Sequence, residues 1–349
     1  MSTPAPPIKI GIIGTGIFAK DRHYPAFAAL PSLYTVTAVA NRTKSKALDF
    51  AATIAHLPES QVYTTIDELL NDKQVTAIDA LLPSQFMLDA VSAAVAAGKP
   101  IAIEKPIAAT LAQAREIVAI ARETTVPVCV LENFVFHHAI VKIKSVLDQI
   151  GEIVYFSHYC SHAFNPSTPY YGTSWRQHPE HVGGFLSDGG VHQVALFTEV
   201  LGEVESVSAL TTQVRKESGD VDTLVSTLKM KSGIMGTFTY TSAVSAPRIN
   251  RFMIHGTDGT IIYDNALANA TTLSVVKPGG PAEGTLVTVE PDVNNGVTAE
   301  FENFAQAVNE KDKSLLKVGV EKGFHHFAVI CAAVESGQKG GTKVLVESP

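Results

Sequence analysis

Apolar and polar positions along this chain change rhythm once, near residue 132. Before that point, short apolar runs alternate with longer stretches of helical spacing. Residues 8–13 (IKIGII) are isoleucine-rich and too apolar to alternate, which marks a strand buried on both faces. Similar runs follow at 34–40, 62–63, 77–82, 100–104 and 126–131. The segments at 21–30, 45–53, 67–71, 88–97 and 110–124 carry helical spacing. Gly98 stands where a helix C-cap is expected and Thr110 where an N-cap is expected. This alternation predicts a parallel sheet covered by helices on both faces.

After residue 132 the pattern predicts a helix over 139–149 and a long strand over 153–161. Residues 162–184 are rich in aromatics, His and Pro and show no periodicity. An irregular stretch of ~20 residues is more often functional than filler. Helical spacing resumes over 188–201. Strand-like runs then follow at 204–214, 223–230, 234–240, 251–256, 260–264, 273–276 and 286–289. Lys231-Ser232-Gly233 and Thr257-Asp258-Gly259 read as hairpin turns, so an antiparallel sheet is expected. Helices at 299–309 and 320–336 and a short strand at 343–346 close the chain. The fold class is therefore α/β. The parallel-sheet domain spans residues 1–131, and a second domain with a mainly antiparallel sheet spans 132–349.

Composition narrows the function. The 349 residues suit two domains, and a hydrophobic content of 46% excludes a disordered chain. Acidic residues number 34 against 27 basic ones, so no basic surplus exists to neutralise nucleic-acid phosphates. No run of ~18 apolar residues predicts a membrane span, and no targeting signal is read. A cytoplasmic address without membrane partners is the expectation. Cys129, Cys160 and Cys331 are odd in number and far apart, which predicts reduced core thiols. No His, Cys, Asp or Glu set has metal-ligand spacing, so no metal is expected.

The run Gly14-Thr15-Gly16-Ile17-Phe18-Ala19 contains Gly-x-Gly-x-x-Ala directly after the first strand. Gly14 allows the tight turn, Gly16 lets the backbone approach a pyrophosphate, and Ala19 lets the helix pack close. Ile17 and Phe18 ride on the same turn. The second strand ends in Ala40-Asn41-Arg42-Thr43-Lys44-Ser45-Lys46, with no acid to bind a ribose 2′-hydroxyl. Asn41, Arg42 and Lys46 can instead meet a 2′-phosphate, which favours NADP over NAD. Glu104-Lys105-Pro106 follows the fifth strand, at the edge where open α/β sheets bind ligands. Asp188 and His192 stand four apart and share one helical face.

Taken together, the glycine turn, Glu104-Lys105-Pro106 and Asp188-x-Gly190-x-His192 resemble the glucose–fructose oxidoreductase / inositol dehydrogenase / MocA family. Trp175-Arg176 followed by Gly183-Gly184 is similar to that family's pattern, and the whole chain looks most like a fungal-type, NADP-linked branch. The resemblance implies an α/β chain with an N-terminal Rossmann dinucleotide-binding domain and a C-terminal α+β domain with an open, mainly antiparallel sheet. It implies that Lys105, Asp188 and His192 form the catalytic group, in a cleft beside the nicotinamide. It also implies cofactor contacts from Leu82, Pro83, Glu104, Trp175 and Arg176, and substrate contacts from Glu132, Asn133, Tyr171 and Arg176. Two departures stand out. Leu82-Pro83-Ser84-Gln85-Phe86-Met87 lacks the family's usual His, and Glu132-Asn133 replaces an Asn-Arg type pair.

The expected activity is NADP-dependent hydride transfer at a CH–OH or C=O group of a small, sugar-like substrate. Either Lys105 or His192 transfers the proton. Two alternatives keep the fold: reduction of a non-sugar carbonyl or imine, and a non-enzymatic NADP-sensing regulator. The second sheet should carry helices on one face only, which predicts a homodimer or higher oligomer packed through the other face.

Overall fold

The isoleucine-rich opening run becomes β1 (Ile8–Ile13), the strand on which the first sheet is organised. A computed structural model describes residues 5–170, 172–265 and 271–349. In it β1 pairs in parallel with β2 (Tyr34–Ala40) on one side and β4 (Ala77–Ala80) on the other. With β3 (Val62–Tyr63), β5 (Ile101–Glu104) and β6 (Val128–Leu131), the sheet order is β3-β2-β1-β4-β5-β6, all parallel. The order reverses between β1 and β4, the switch point where such sheets leave a crevice at their C-terminal edge.

Four of the covering helices are α2 (Lys44–Ala51), α3 (Ile66–Asn71), α4 (Met87–Ala96) and α5 (Leu111–Glu123). The Thr110 hydroxyl accepts from the Gln113 amide as the sequence led one to expect, and Thr65 and Glu68 form a capping box. The helix expected over 21–30 starts earlier and is wound in two ways. Ala19–His23 is a π turn that runs into α1 (Tyr24–Ala29).

Two compact units divide the described chain at Asn133/Phe134, and residues Val293–Phe324 join the first unit. The sequence reading had placed this segment with the second domain. Its allegiance follows from packing. Phe301, in the helix α9 (Val297–Glu310), lies 4.4 Å from the Phe27 ring and accepts from the Tyr34 hydroxyl through its carbonyl at 2.6 Å.

The second unit is built on one nine-stranded sheet. Its strands are β7 (Ile153–Ala163), β8 (Val204–Thr212), β9 (Thr223–Met230), β10 (Met235–Val244), β11 (Ile249–Gly256), β12 (Thr260–Asp264), β13 (Thr272–Val276), β14 (Thr285–Leu286) and β15 (Val344–Leu345). The order is β14-β13-β12-β11-β7-β10-β9-β8-β15. Both predicted hairpins form, β9–β10 and β11–β12. One pair departs from the antiparallel expectation: β7 runs parallel to β10. β10 and β11 run opposite ways, and β7 lies between them, so it must be parallel to one of the two.

Helices α6 (His138–Val146), α8 (Gly184–Leu201) and α10 (Val320–Gln338) pack on this unit, and a short helix α7 (Ser174–Gln177) precedes α8. α8 lies on β9 and β10, and α6 on β12 and β13. Within α10, His325 accepts the Val204 amide at 3.0 Å and Ser336 accepts the Ala209 amide at 2.8 Å. β9 alternates strictly between buried and exposed residues, so its sheet keeps one face outside the core. On that face Leu210, Val225, Thr239, Tyr159 and Arg251 stand in one row across five strands. All three cysteines are free and buried. Among the described residues no helix is long and apolar enough to cross a membrane.

Candidate functional site

The first unit presents a dinucleotide turn. Gly14 ends β1 with φ +91°, and a Cβ there would stand 2.1 Å from the Leu81 carbonyl oxygen. Only glycine fits that backbone and that approach. At Gly16 a Cβ would meet nothing within 4 Å, which leaves the turn open on that side. Asn41 donates to the Thr15 hydroxyl at 2.9 Å and accepts from the Thr43 amide at 2.9 Å. The Thr15 hydroxyl in turn donates to the Lys46 carbonyl at 3.2 Å. Asn41 is thus committed internally, where the sequence suggested a phosphate contact. Arg42 beside it is exposed and has no hydrogen-bond or ion-pair partner among the described residues. The Lys46 side chain is also exposed, and Ile17, Phe18, Leu82 and Pro83 are half-buried. An open glycine turn beside an unpaired guanidinium fits the anionic portion of a dinucleotide.

Beneath this turn lies a group that the sequence reading passed over. His23 is fully buried. Its Nδ1 stands 2.9 and 3.1 Å from the two Asp79 carboxylate oxygens, and its Nε2 lies 3.0 Å from Glu104 Oε1. Carboxylates on both ring nitrogens call for a proton on each, which makes the ring an imidazolium. Burial alone pushes its pKa down. The charge and hydrogen bond of Asp79, then those of Glu104, outweigh burial and lift it to about 10. Burial raises the Asp79 carboxyl above its ordinary range, and the imidazolium pulls it only part of the way back. Phe18 and Phe301 set their rings against His23 at 5.2 and 5.0 Å. Glu300 on α9 is pushed well above the usual carboxyl range, by burial first and then by the Glu104 charge. The second oxygen of Glu104 accepts the Lys105 amide at 3.2 Å. One buried cation therefore ties the helix after the glycine turn to β4 and to the Glu-Lys pair that ends β5.

In the second unit, Asp188 and His192 lie within α8, which starts at Gly184, earlier than the spacing indicated. Asp188 accepts from Arg176 Nε at 2.8 Å. The Arg176 guanidinium lies 4.0 Å from the Trp175 ring centroid and 5.2 Å from that of Tyr170. The His192 ring stacks on Phe134 at 4.5 Å, and Phe134 meets His137 at 4.5 Å. A Cβ at Gly189 would stand 2.0 Å from the Tyr240 hydroxyl, so glycine here lets α8 settle onto β10. Tyr240 is thereby brought against the helix that carries Asp188 and His192. Its phenol is raised well above its ordinary value by burial, by Cys160 and then by Asp188.

Several sequence assignments change. Glu132 and Asn133 were expected to touch substrate, but they are 1% and 6% exposed. Asn133 spends its amide on the Asn295 carbonyl at 2.6 Å. That bond ties Asn133 to the turn before α9. Arg176 was offered to cofactor or substrate, yet its Nε holds Asp188. Trp175 stacks on that guanidinium. Tyr171 lies outside the described residues. Lys105 is half-buried at the end of β5 in the first unit, and Asp188 and His192 belong to the second. His23 carried a signal after all. Asp79 is an acid inside a buried strand, and such a residue demands a buried cation.

Residues 8–132 match the family model for the NAD-binding Rossmann fold of an oxidoreductase family, and residues 144–346 match that family's C-terminal alpha/beta domain. The chain is 47% identical to the uncharacterized Saccharomyces cerevisiae protein YMR315W, over 98% of this chain and 99% of that one. It is 24% identical to the scyllo-inositol 2-dehydrogenase (NADP(+)) IolW of Bacillus subtilis, over 97% and 96% of the two chains. A crystal structure of an oxidoreductase from Thermotoga maritima superposes with a TM-score of 0.88 at 31% identity, covering 97% of this chain and 98% of that one.

The His23 cation has a consequence for stability. Its pKa is about 10 in the fold against 6.5 for an ordinary imidazole. Its contribution is complete below that lower value and is lost as pH rises toward the upper one, by at most ~1.4 kcal/mol per pH unit. Raised Glu300 adds a slope of the same sign, so the readout is a difference. Denaturant unfolding of the unmutated protein should lose stability across this window faster than His23→Gln does. Parallel curves for the two proteins would remove the imidazolium.

Proposed function

Because the chain belongs to the glucose–fructose oxidoreductase / inositol dehydrogenase / MocA oxidoreductase family, we propose that it is an NADP-dependent oxidoreductase acting on a CH–OH or C=O carbon of a small, hydroxylated, sugar-like substrate. The observation that carries this reading is that one chain holds Lys105, Asp188 and His192 as well as an open dinucleotide turn. A nucleotide sensor needs the turn but not the trio. When bound, NADP supplies the hydride acceptor or, in its reduced form, the donor. Gly14 and Gly16 leave room for the pyrophosphate, and Arg42 meets the 2′-phosphate. The Lys105 amine hydrogen-bonds the oxygen on the reacting carbon and stabilises charge that develops there. The hydroxyl proton passes to Lys105 or to His192. Asp188, held by Arg176, fixes the charge beside His192 on the same helix face.

Support for NADP comes from the acid-free tip of β2 and its unpaired Arg42. The similar scyllo-inositol 2-dehydrogenase (NADP(+)) of Bacillus subtilis supports the same cofactor and a polyol-like substrate. We also propose a homodimer or higher oligomer. The uncovered sheet face sets Leu210, Val225 and Tyr159 side by side, and a second copy of this face offers the matching apolar surface.

Three measurements test these readings. NADP should bind more tightly than NAD in a fluorescence titration, and Arg42→Ala should weaken NADP roughly ten- to hundredfold while leaving NAD nearly unchanged. Tighter NAD binding by the unmutated protein would sink the cofactor assignment. Against a panel of polyols and carbonyls followed by NADPH absorbance, Lys105→Ala should lower turnover by about two orders of magnitude with NADP binding retained. A pH–rate profile that flattens in His192→Ala assigns the proton to His192, and one that persists assigns it to Lys105. Light scattering at micromolar concentration should show an oligomer that Val225→Lys drives toward monomer. A monomeric unmutated protein would overturn the assembly.

A further inference from the structure

Three adjoining strands of the second unit change character along their helix-covered face. Register places Gly236, Phe156 and Ile254 in one row across β10, β7 and β11. The next row is Phe238, His158 and Phe252, and the next Tyr240, Cys160 and Asn250. One further step along the same alternation brings His162 on β7 and Arg248, the residue just before β11. Within a few rows the face passes from phenylalanine and isoleucine to a guanidinium. The polar end is the end against α8, where Gly189 admits the Tyr240 hydroxyl.

Arg248 is unlike the other arginines of this unit. Arg176 holds Asp188, Arg251 holds Asp264, and Arg215 bonds the Ala243 carbonyl. Arg248 Nε is buried without a hydrogen-bond partner, and its guanidinium makes no ion pair among the described residues. Its charge nevertheless reaches the groups around it. Burial pushes the Cys160 thiol up to about 12 against the pull of Arg248. Burial, then Arg248 and His192, press His162 down to about 4, so that ring is neutral. Tyr240 and Tyr263 feel Arg248 as well. The acids that face the same groups are already engaged. Asp188 accepts from Arg176, Asp264 from Arg251, and Asp292 from the His138 amide at 2.7 Å. A half-buried cation with an unmet donor stands at the polar end of this face, without a counter-ion among the described residues. Desolvating a guanidinium in this way is costly unless an anion completes it.

We propose that Arg248 is the anion anchor of the substrate site, so that the substrate is a sugar-like compound carrying a carboxylate or a phosphate. This rests on the oxidoreductase reading and narrows it to one substrate class. The guanidinium binds the anionic group through paired N–H donors, and the apolar rows behind it keep water from competing.

The test uses the full chain saturated with NADP and calorimetric titration with D-glucuronate, D-glucose 6-phosphate, D-glucose and myo-inositol. At least one anion should bind about tenfold or more tightly than either neutral compound, and which one it is separates carboxylate from phosphate. Arg248→Met should erase that preference, and Arg248→Lys should restore part of it. If Arg248→Met fails to fold, Arg248→Gln, polar but uncharged, gives the same comparison. Anions that bind no better than neutral compounds, or a preference that survives loss of Arg248, would overturn the anchor. NADP reduction, or NADPH oxidation with the corresponding carbonyls, is read on the same samples. Arg248-dependent anion binding without hydride transfer would defeat the oxidoreductase reading and leave the anchor standing. Turnover with no preference for the anions, or with a preference that survives Arg248→Met, would do the reverse.

Discussion

A single buried cation organises the first unit. The His23 imidazolium lies between Asp79 in the middle of β4 and Glu104 at the end of β5, on a π turn that continues directly from the glycine loop. Removing one partner from such a group leaves a charge stranded in low dielectric, at a typical cost of about 3–5 kcal/mol. Three segments distant in sequence are therefore locked to one another: the dinucleotide turn, the switch-point strand and the turn that carries Lys105. π turns inside helices are frequent at functional sites because they re-aim one side chain. Here the re-aimed side chain is His23, directed into the sheet edge. Phe18 and Phe301 shield it, so the ion pairs operate away from water and keep their strength.

The second unit meets a different constraint. A helix that carries Asp188 and His192 must sit low enough for both to share the environment of the sheet beneath. Gly189 makes that possible, because any larger residue would collide with the Tyr240 hydroxyl. The helix then covers strands whose inner residues are apolar at one end and ionisable at the other. Packing energy comes from the apolar rows, where Phe156, Phe238 and Phe252 are essentially inaccessible to solvent. The polar end buries ionisable groups instead, Tyr240, Cys160 and His162. This division also explains the buried cysteine. Cys160 lies at the transition between the two regimes, and burial keeps its thiol protonated and inert.

Much of this architecture was legible in the chain. The strands of the parallel sheet announced themselves as unbroken apolar runs, and Thr110 and the two hairpin turns behaved as local chemistry dictates. What stayed hidden depends on contacts between residues far apart in sequence. Nothing local says that β7 enters between β10 and β11, because that placement is decided by which strands pair after the turn at 245–248 forms. Nothing in the periodicity of α9 says which core it joins, since any apolar stripe would serve, and the choice falls to Phe27 and Tyr34. Tyr240 and Arg248 look like ordinary strand and turn residues until register sets them beside Cys160 and His162. The glycine turn, Lys105 and the Asp188–His192 pair were legible because backbone and helix geometry fix them within a few residues. The burial of Glu132 and Asn133 was not legible, because a motif position does not report burial.

The tip of β2 shows how a local network can decide recognition without touching the ligand. Asn41 has the donors and acceptor to meet a phosphate, yet both ends of its amide are used, one on Thr15 and one on the Thr43 amide. Those bonds fasten the glycine turn to the start of α2, and the Thr15 bond to the Lys46 carbonyl closes the same loop. The turn is thereby held rigid before any ligand arrives, which lowers the ordering cost of binding. With Asn41 withdrawn, Arg42 is the residue of this tip left exposed with its guanidinium unpaired. A ribose hydroxyl would gain little from a cation there, whereas a phosphate gains a charge-assisted, bidentate bond. Selectivity in our reading comes from both features together: an internal amide that stiffens the loop, and an adjacent arginine that the same loop leaves free.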